Sequence, residues 1–340
     1  MKKLRVLMLM HTENIPPDDL KDDDDPRMEK FRTEFDVKNA LINLGHDIKI
    51  IGVDDNIAPV REAIEEWKPH IAYNLMEAFA DNGALDFYIV SYLDMHHVPY
   101  TGCNPRGMLL SRDKALSKKL LAYHRVRVPK FKEFPFGRKI YPSKIKNLPY
   151  PMIVKSLTEQ GSVGIAQASH VATPEELIDR VKQVHEITND DAIAEQYIEG
   201  RELYVTVLGN TRLEVLPVRE LVFDKIDDTM HRIATYNVKW NEDYRKRWGI
   251  DYIFARNLPT DIPDQITKLA KRVYRILDLS CYARLDLRLT EDGKLFVLEA
   301  NPNAGIAATD DVAYAAEKAG MDYEQLIQRI LNFGLRAHSE

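Results

Sequence analysis

The clearest signal in the chain is ARLDLRLTEDGKLFVLEANPN, residues 283–303. Its first half alternates strictly between charged and apolar residues, and a β-strand turns successive side chains to opposite faces. The alternation therefore places Arg284, Asp286 and Arg288 on one face. Asp292-Gly293 is a favoured two-residue hairpin turn, so the segment predicts an antiparallel hairpin with one polar face.

The register of this hairpin decides which polar groups meet. If the two-residue turn sets the register, Asp286 lies directly opposite Glu299, and Arg284 lies opposite Asn301. Two carboxylates and an amide oxygen suit Mg²⁺, which is commonly held by one or two carboxylates together with substrate phosphates. The alternative is a solvated hairpin face with ordinary salt bridges.

The first hundred residues alternate between strand and helix patterns. The predicted elements are strands at 5–10, 47–53, 71–75 and 99–100 and helices at 28–44, 57–67 and 85–96. Such alternation implies a parallel, doubly wound sheet, in which ligands bind beyond the carboxyl ends of the strands. The loops after Met10 and Leu75 are therefore candidates for ligand contacts.

The pattern changes at about residue 111. The predicted elements from there are helices at 111–123, 174–186 and 263–277 and strands at 152–156 and 192–196, all before the hairpin. We predict three domains, residues 1–110, 111–200 and 201–340.

Composition and charge narrow the class of protein. A formal net charge of -6 and a pI near 6.0 give no large basic surface, so the electrostatic term that drives nucleic-acid binding is missing. No apolar run approaches the roughly 18 residues of a membrane span, and the N-terminus lacks a signal-peptide pattern. Cys103 and Cys281 have no metal-ligand spacing and are predicted to be free thiols of a cytoplasmic protein.

A glycine-containing loop, EQGSVG at 159–164, follows the strand that carries Lys155. Glycines let backbone N–H groups approach phosphate oxygens, Ser162 adds a hydroxyl, and Lys155 and Lys114 could offset phosphate charge. The linker AEQYIEGRE, residues 194–202, could offer backbone groups to adenine and a carboxylate to ribose. Taken alone, these features are also compatible with a plain turn, surface lysines and an ordinary linker.

Together and in this order, these pieces resemble the D-alanyl-D-alanine ligase family of ATP-grasp enzymes over nearly the whole chain. The matching stretches are 99–102, 113–114, 153–155, 161–164, 195–200, 239–240, 284–286 and 299–301. The resemblance implies an α/β fold of three domains: an N-terminal doubly wound parallel sheet, a small central α+β domain, and a C-terminal α+β domain with an antiparallel sheet. ATP would lie between the last two.

The resemblance also implies roles for particular residues. Those implied to bind ATP are Lys114, Lys155, Glu195, Tyr197, Ile198, Glu202 and Leu298. Those implied to act on the reacting groups are Gly161 and Ser162 in the loop, Lys239 at the γ-phosphate and Arg284 at an oxyanion. The implied metal ligands are Asp286, Glu299 and Asn301, holding two Mg²⁺ ions for which Mn²⁺ can substitute. The metal ligands agree with the hairpin register.

The implied reaction joins a carboxylate to an amine. The carboxylate attacks the γ-phosphate of ATP to give an acyl phosphate and ADP, and an amine then displaces phosphate. Positioning and electrostatics supply most of the catalysis of such phosphoryl transfers. Acyl phosphates hydrolyse, so a lid is expected, and the segments 157–164 and 223–257 are candidates.

The chain departs from ligases that make D-alanyl-D-alanine in three respects, two of which precede Asn301. Those enzymes carry a His-Gly pair in the loop after the third strand, where this chain has Met76-Glu77. A serine that helps to hold the first D-alanine is replaced by Gly161, and the tyrosine beside the loop lysine is replaced by Trp240. The serine–tyrosine pairing is therefore lost.

The third departure follows Asn301, beyond Gly305, which the resemblance places at the substrate. The family has a Ser-Leu step that receives the second substrate's carboxylate, and this chain has Asp310-Asp311. Two carboxylates repel a carboxylate, so a cationic guest such as a diamine or a basic amino acid is one interpretation. A helix cap is the other. Glu34 and Glu77 are each either substrate ligands or surface charges.

We therefore expect an ADP-forming carboxylate–amine ligase whose substrates are small molecules and are not two D-alanines. A genuine D-alanyl-D-alanine ligase is the first alternative. An ATP-binding regulatory or phosphotransferase protein on the same fold is the second, and the intact set around Arg284 argues against it. The resemblance also implies a homodimer.

Overall fold

The computed structural model describes residues 3–21, 24–225 and 230–337. Its N-terminal part is a three-stranded parallel sheet in the order β2-β1-β3. The elements are β1 (Arg5–Met10), α1 (Met28–Asn43), β2 (Asp47–Gly52), α2 (Ala58–Glu62), β3 (Ile71–Asn74) and α3 (Phe87–Met95). Buried strands such as β3, whose four residues are all buried, are typical of parallel sheets covered on both faces.

Two predicted elements of this part are corrected. The predicted helix at 57–67 is helical throughout, but its second half widens into a π-helix, Ala63–Trp67, and ends at Lys68 with a left-handed φ of 51°. The predicted strand at 99–100 forms only a single parallel bridge between Tyr100 and Ala72. One bridge does not make a strand, because the chain turns away at once into Gly102, with a φ of 95°.

The predicted helix at 111–123 is in fact the end of one helix and the whole of another, α4 (Pro105–Arg112) and α5 (Lys114–Tyr123). Asp113 separates them, because its backbone is extended and its carboxylate accepts hydrogen bonds from the backbone N–H groups of Ala115 and Leu116, each at 2.8 Å. Such an aspartate caps a helix N-terminus. The cap fixes Lys114 as the first residue of α5.

The central part is a four-stranded antiparallel sheet in the order β4-β7-β5-β6 with one helix on it. Its elements are β4 (Phe131–Phe134), β5 (Met152–Ser156), β6 (His170–Val171), α6 (Pro174–Thr188) and β7 (Ala192–Gln196). The strands predicted at 152–156 and 192–196 are confirmed.

The C-terminal part is built on a six-stranded antiparallel sheet in the order β11-β10-β8-β12-β13, with β9 pairing beside β8. The strands are β8 (Arg201–Leu208), β9 (Glu214–Val215), β10 (Arg219–Phe223), β11 (Ile250–Phe254), β12 (Tyr282–Leu289) and β13 (Leu295–Pro302). The helices are α7 (Tyr236–Trp240), α8 (Glu242–Trp248), α9 (Ile262–Ile276), α10 (Asp311–Lys318) and α11 (Tyr323–Ala337).

The β12–β13 hairpin has the predicted pairs, but its turn differs. Asp286 pairs with Glu299, and Arg284 pairs with Asn301. The loop nevertheless has three residues, 291–293, because Thr290 pairs with Lys294 and Gly293 takes a left-handed φ of 78°. The one-residue offset is cancelled by a β-bulge at Leu298, beyond which the predicted register holds.

The three sheets match the predicted fold class, while the domain boundaries remain predictions. The hydrophobic cores join the first and last parts of the chain, since Leu7 and Leu9 of β1 lie in one cluster with Leu203 of β8 and Leu285 of β12. Within the described residues, no helix has the length and apolarity that a bilayer crossing requires.

Candidate active site

An open cleft lies between the central and C-terminal sheets. Ten of the predicted site residues line it: Lys155, Ser162, Glu195, Tyr197, Ile198, Glu202, Lys239, Asp286, Leu298 and Glu299. Six further lining residues were not predicted: Ile153, Ile165, Gln196, Ile233, Ala234 and Arg288. The apolar members among these have no chemical signature in a sequence, and only the fold identifies them.

Three buried lysines gather at one end of the cleft. Lys114 lies 3.4 Å from Glu299 and donates a hydrogen bond to the Glu159 carbonyl at 2.5 Å. Lys155 reaches Glu195 at 3.2 Å across the β5–β7 pair. Each lysine is less than 8% exposed. Ammonium groups held so deeply, with fewer carboxylates than cations around them, form a site for a polyanion.

The third lysine, Lys118, was missed by sequence reasoning. It is 1% exposed, lies 3.0 Å from Glu195 and donates a hydrogen bond to the Leu298 carbonyl at 2.6 Å. Lys118 follows Lys114 by one helical turn, a spacing that places both on one face of α5. That spacing was the available signal. The carbonyl it contacts belongs to the β-bulge, so Lys118 ties helix α5 to the distorted point of the hairpin.

Burial and neighbouring charges shift the pKa values of the lysines and of Glu299 at this end of the cleft. Burial alone would raise the pKa of Glu299, but Lys114 and Lys155 hold it well below its usual range. Burial lowers the pKa of Lys114. At Lys155 burial acts in the same direction, but Glu195 and Glu299 together outweigh it and raise the pKa. Burial also lowers the pKa of Lys239, which approaches from the opposite side. An incoming phosphate chain would stabilise all these cations.

The predicted metal ligands share one face of the hairpin. Asp286 and Glu299 are cross-strand partners, and Asn301 lies diagonally across from Asp286 with its side-chain N–H₂ buried and without a hydrogen-bond partner in the described chain. Asp286 accepts two hydrogen bonds from Arg284, at 2.8 and 3.1 Å. Two carboxylates plus an amide are an oxygen donor set of the kind Mg²⁺ uses when phosphates and water complete its shell. The residues present therefore fit this ion.

The predicted ribose ligand, Glu202, is engaged by protein groups. Its carboxylate accepts hydrogen bonds from the Tyr204 hydroxyl at 2.9 Å and from Arg288 at 2.8 Å. Arg288 also contacts the Gly200 carbonyl at 2.7 Å and lies over the Tyr197 ring. Arg288 was predicted on the polar hairpin face but given no role. It holds the linker against the hairpin and fixes the floor of the cleft.

The two predicted lid segments meet in this structure. The Trp240 indole N–H donates a hydrogen bond to the Gly161 carbonyl at 2.9 Å, and the Ser162 hydroxyl donates one to the Ala234 carbonyl at 2.9 Å. The backbone N–H of Tyr236 also bonds the Ile165 carbonyl. In the resembling ligases a serine and a tyrosine side chain pair at these two positions. Here a hydrogen bond from the Trp240 side chain to the Gly161 backbone takes the place of that pairing. Residues 226–229 of the longer segment lie outside the described chain.

Replacing Trp240 by phenylalanine tests this lid contact. The change removes one hydrogen bond, typically worth about 1 kcal/mol, and keeps an aromatic ring. For the ATP-dependent ligase that the resemblance implies, we expect ATP consumption that is not coupled to product to rise several-fold in the variant, because a looser lid admits water. The measurement is the ratio of phosphate to product, and Trp248→Phe on nearby α8 is the control. An unchanged ratio of phosphate to product in Trp240→Phe would show that this contact does not help to close the lid.

The N-terminal part contributes two acidic residues. Glu34 in α1 is 5% exposed and accepts a hydrogen bond from Asn14 at 3.1 Å. Burial raises its pKa to about 7, and the charge of Glu77 adds to the shift. Glu77 is accessible to solvent, yet protein atoms crowd it on most sides, and this desolvation raises its pKa although Arg112 opposes the change. The charge of Glu77 therefore reaches the buried Glu34, while Glu77 itself borders solvent.

The Asp310-Asp311 pair does not make the predicted helix-cap bonds, whereas a role at the substrate remains a prediction. Asp310 stands at the N-cap position of α10 but makes no side-chain cap bond; its carboxylate accepts from the Ala307 backbone at 2.8 Å and lies against Gly305. Asp311 is neutralised by Arg219 at 3.1 Å and Arg284 at 3.6 Å. The cap interpretation is wrong for both side chains, and Asp311 is no free carboxylate. Arg219 was missed, since nothing local in the sequence marks it.

Comparisons with known proteins bear on this arrangement. The family model described as "D-ala D-ala ligase C-terminus" matches residues 121–332. An uncharacterized protein of Sinorhizobium fredii is 31% identical over 88% of this chain and 86% of its own length. The D-alanine–D-alanine ligase of Carboxydothermus hydrogenoformans is 26% identical over 91% of this chain and 95% of its own length.

Solved structures show the same fold. D-alanine–D-alanine ligase from Bacillus anthracis complexed with ATP superposes with a TM-score of 0.74 at 20% sequence identity, covering 99% of both chains. The D-alanine–D-alanine ligase from Coxiella burnetii superposes with a TM-score of 0.73 at 16% identity, covering all of this chain and 96% of the other. At these identities the likeness concerns the fold.

Proposed function

Because this chain belongs to the D-alanine–D-alanine ligase family of ATP-grasp carboxylate–amine ligases, we propose that it uses Mg-ATP to join an amino-acid-like carboxylate to an amine, and that its substrates are not two D-alanines. The observation that carries the proposal is the meeting, at one cleft, of three buried lysines with the Asp286–Glu299 pair and Arg284. Such groups can bind a polyphosphate and can stabilise negative charge on an acyl group that lies beside it.

In the first step a substrate carboxylate oxygen attacks the γ-phosphorus of ATP. A new P–O bond forms, the bond to the β-phosphate oxygen breaks, and ADP leaves with an acyl phosphate remaining. Lys114, Lys155 and Lys239 would hold the phosphates and offset their charge. Asp286, Glu299 and Asn301 would hold Mg²⁺, which neutralises phosphate oxygens when bound; we expect two ions, with Mn²⁺ as a substitute.

In the second step the amine nitrogen attacks the acyl carbon. The carbonyl oxygen becomes an oxyanion, the C–O bond to phosphate breaks, and the departing phosphate can take the proton that the amine loses. Arg284 would donate to this oxyanion from its place on the hairpin face, stacked 4.8 Å over the Tyr204 ring. Its bidentate pairing with Asp286 holds the guanidinium plane in a fixed direction.

The first substrate would be recognised at the N-terminal edge of the cleft. The buried carboxylate of Glu34 suits the ammonium group of an amino acid. The groups that differ from D-alanyl-D-alanine-forming ligases, Glu77, Gly161 and Trp240, lie around the same region or in the lid. These differences favour a different pair of substrates. A homodimer remains a prediction from the resemblance, and a cytoplasmic location remains a prediction from the sequence.

The pH dependence of the acid substrate's KM tests the role of Glu34. Its pKa in the free protein is about 7, because burial disfavours the ionised carboxylate. Only that ionised form pairs with an ammonium group, so KM should fall as the pH rises from 6 to 8 and then level off. The Glu34→Gln variant should show a higher, flat KM. A wild-type KM that is constant over this range would contradict the assignment.

Hydroxylamine trapping tests the proposed chemistry itself. The purified protein is incubated with Mg-ATP, hydroxylamine and pools of L- and D-amino acids, and ADP and hydroxamates are measured. An acyl phosphate gives a hydroxamate that depends on both ATP and one acid, and deconvolution of the pool identifies the acid. ADP formation without any hydroxamate, for every acid, would sink the proposal in favour of phosphotransfer or regulation.

A further inference from the structure

Side chains of alternating charge connect the hairpin face to the start of helix α10. Arg284 pairs with Asp286 through its Nε and one terminal nitrogen, and its other terminal nitrogen lies 3.6 Å from the Asp311 carboxylate. The second oxygen of Asp311 accepts from the Nε of Arg219 at 3.1 Å. Asp311 thus bridges two guanidinium groups that come from different strands.

Both guanidinium groups are fixed in place. Arg219 is 8% exposed and lies between the rings of Phe254 and Tyr314, 5.0 and 4.9 Å from their centroids. Arg284 is stacked on Tyr204. Two stacked arginines that converge on one point form an anion site, since planar guanidinium groups bind carboxylates well in this geometry. In this protein the anion bound between the two arginines is the carboxylate of Asp311.

We infer that Asp311 is a built-in carboxylate that fills the Arg219–Arg284 anion site, so that the amine substrate is one without a carboxylate beside its nucleophilic nitrogen. The inference rests on the proposed function, because the amine must reach the acyl carbon that Arg284 serves. A carboxylate on the carbon next to that nitrogen would then approach the Arg284–Asp311 contact. A second carboxylate there would meet Asp311 and find both arginines already paired.

The surroundings strengthen the same preference. Asp310 is next to Asp311, and a side chain at Gly305 would place its Cβ 2.6 Å from the Asp310 carboxylate. Asp36 of α1 also reaches this region and accepts from the Ala308 backbone at 2.9 Å. The two arginines balance Asp286 and Asp311, so Asp310 adds negative charge that neither arginine contacts directly. Neutral or cationic groups are favoured at this end.

Matched pairs of nucleophiles test the inference. With the acid found by hydroxylamine trapping held at saturation, product formation is compared for ethylamine against alanine, propylamine against 2-aminobutyrate, and agmatine against arginine. We expect kcat/KM to favour the member without the carboxylate in every pair that reacts, by on the order of 100-fold, because juxtaposed like charges cost several kcal/mol. Preference for the amino acids would overturn the inference.

Variants locate the cause of the preference. Asp311→Asn removes the charge and keeps the shape, and it should reduce the amine-over-amino-acid ratio at least 10-fold; Asp311→Ala should do the same. Arg219→Met retains the Asp311–Arg284 pair and should retain the preference for amines. A ratio unchanged by Asp311→Asn would contradict the role of Asp311. Hydroxamate formation with no preference for amines would refute this inference alone, whereas absence of hydroxamate would refute the proposed function.

Discussion

Replacing Arg284 by methionine should lower the rate of amide formation by about 100- to 1,000-fold, the usual cost of removing one oxyanion donor. ATP affinity should change little, because the contacts of Arg284 are to Asp286, Asp311 and the Tyr204 ring rather than to the lysine end of the cleft. Acyl-phosphate formation, followed as hydroxamate, should also be less affected than the amide step.

The measurement combines steady-state kinetics with ATP titration of the same preparation. Arg275→Met, the same change at an exposed position of α9, is the matched control and should keep full activity. Equal loss of ATP binding and amide formation in Arg284→Met would contradict the oxyanion role. It would indicate instead that Arg284 serves chiefly to hold Asp286.

Replacing Lys118 by methionine should destabilise the protein by about 3 kcal/mol, near the lower end for breaking a buried ion pair. The effect arises because Glu195 would retain only Lys155, and the Leu298 carbonyl at the β-bulge would lose its hydrogen-bond donor. The KM for ATP should rise as well, since Glu195 and Leu298 both line the cleft.

Denaturant unfolding of the variant measures the loss. Lys119→Met removes an exposed lysine one residue away, paired with Glu133 at the surface, and should cost less than about 1 kcal/mol. The double variant Lys118→Met with Glu195→Gln should recover part of the loss, because it removes the carboxylate left underneutralised. A variant as stable as Lys119→Met would show that Lys118 is not part of the buried network.

The hairpin shows how far sequence reasoning reaches. Alternation placed Arg284, Asp286 and Arg288 on one face, and the predicted pairing of that face with Glu299 and Asn301 was right. A two-residue turn was expected to set this register. The turn instead has three residues, and the bulge at Leu298 restores the predicted pairing. The Leu298 carbonyl at this bulge accepts a hydrogen bond from Lys118, and local sequence does not reveal a contact between residues so far apart.

The residues that sequence reasoning missed are paired over long separations. Lys118 meets a carbonyl 180 residues away, and Arg219 meets a carboxylate 92 residues away. A buried lysine on a helix and a surface lysine read alike in a sequence. Asp311 was recognised as unusual, but both interpretations given to it were local or substrate-directed, and its actual partners come from two strands of the neighbouring sheet.

The most direct test of the central claim is release of ADP and phosphate by the purified protein with Mg-ATP, comparing D-alanine alone with pooled amino acids, diamines and dipeptides. The proposed function predicts turnover with a pool, identified by deconvolution as one acid and one amine, and only background hydrolysis with D-alanine. Saturable turnover with D-alanine alone, yielding the dipeptide, would contradict it and overturn the interpretation of Glu77, Gly161, Trp240 and Asp311.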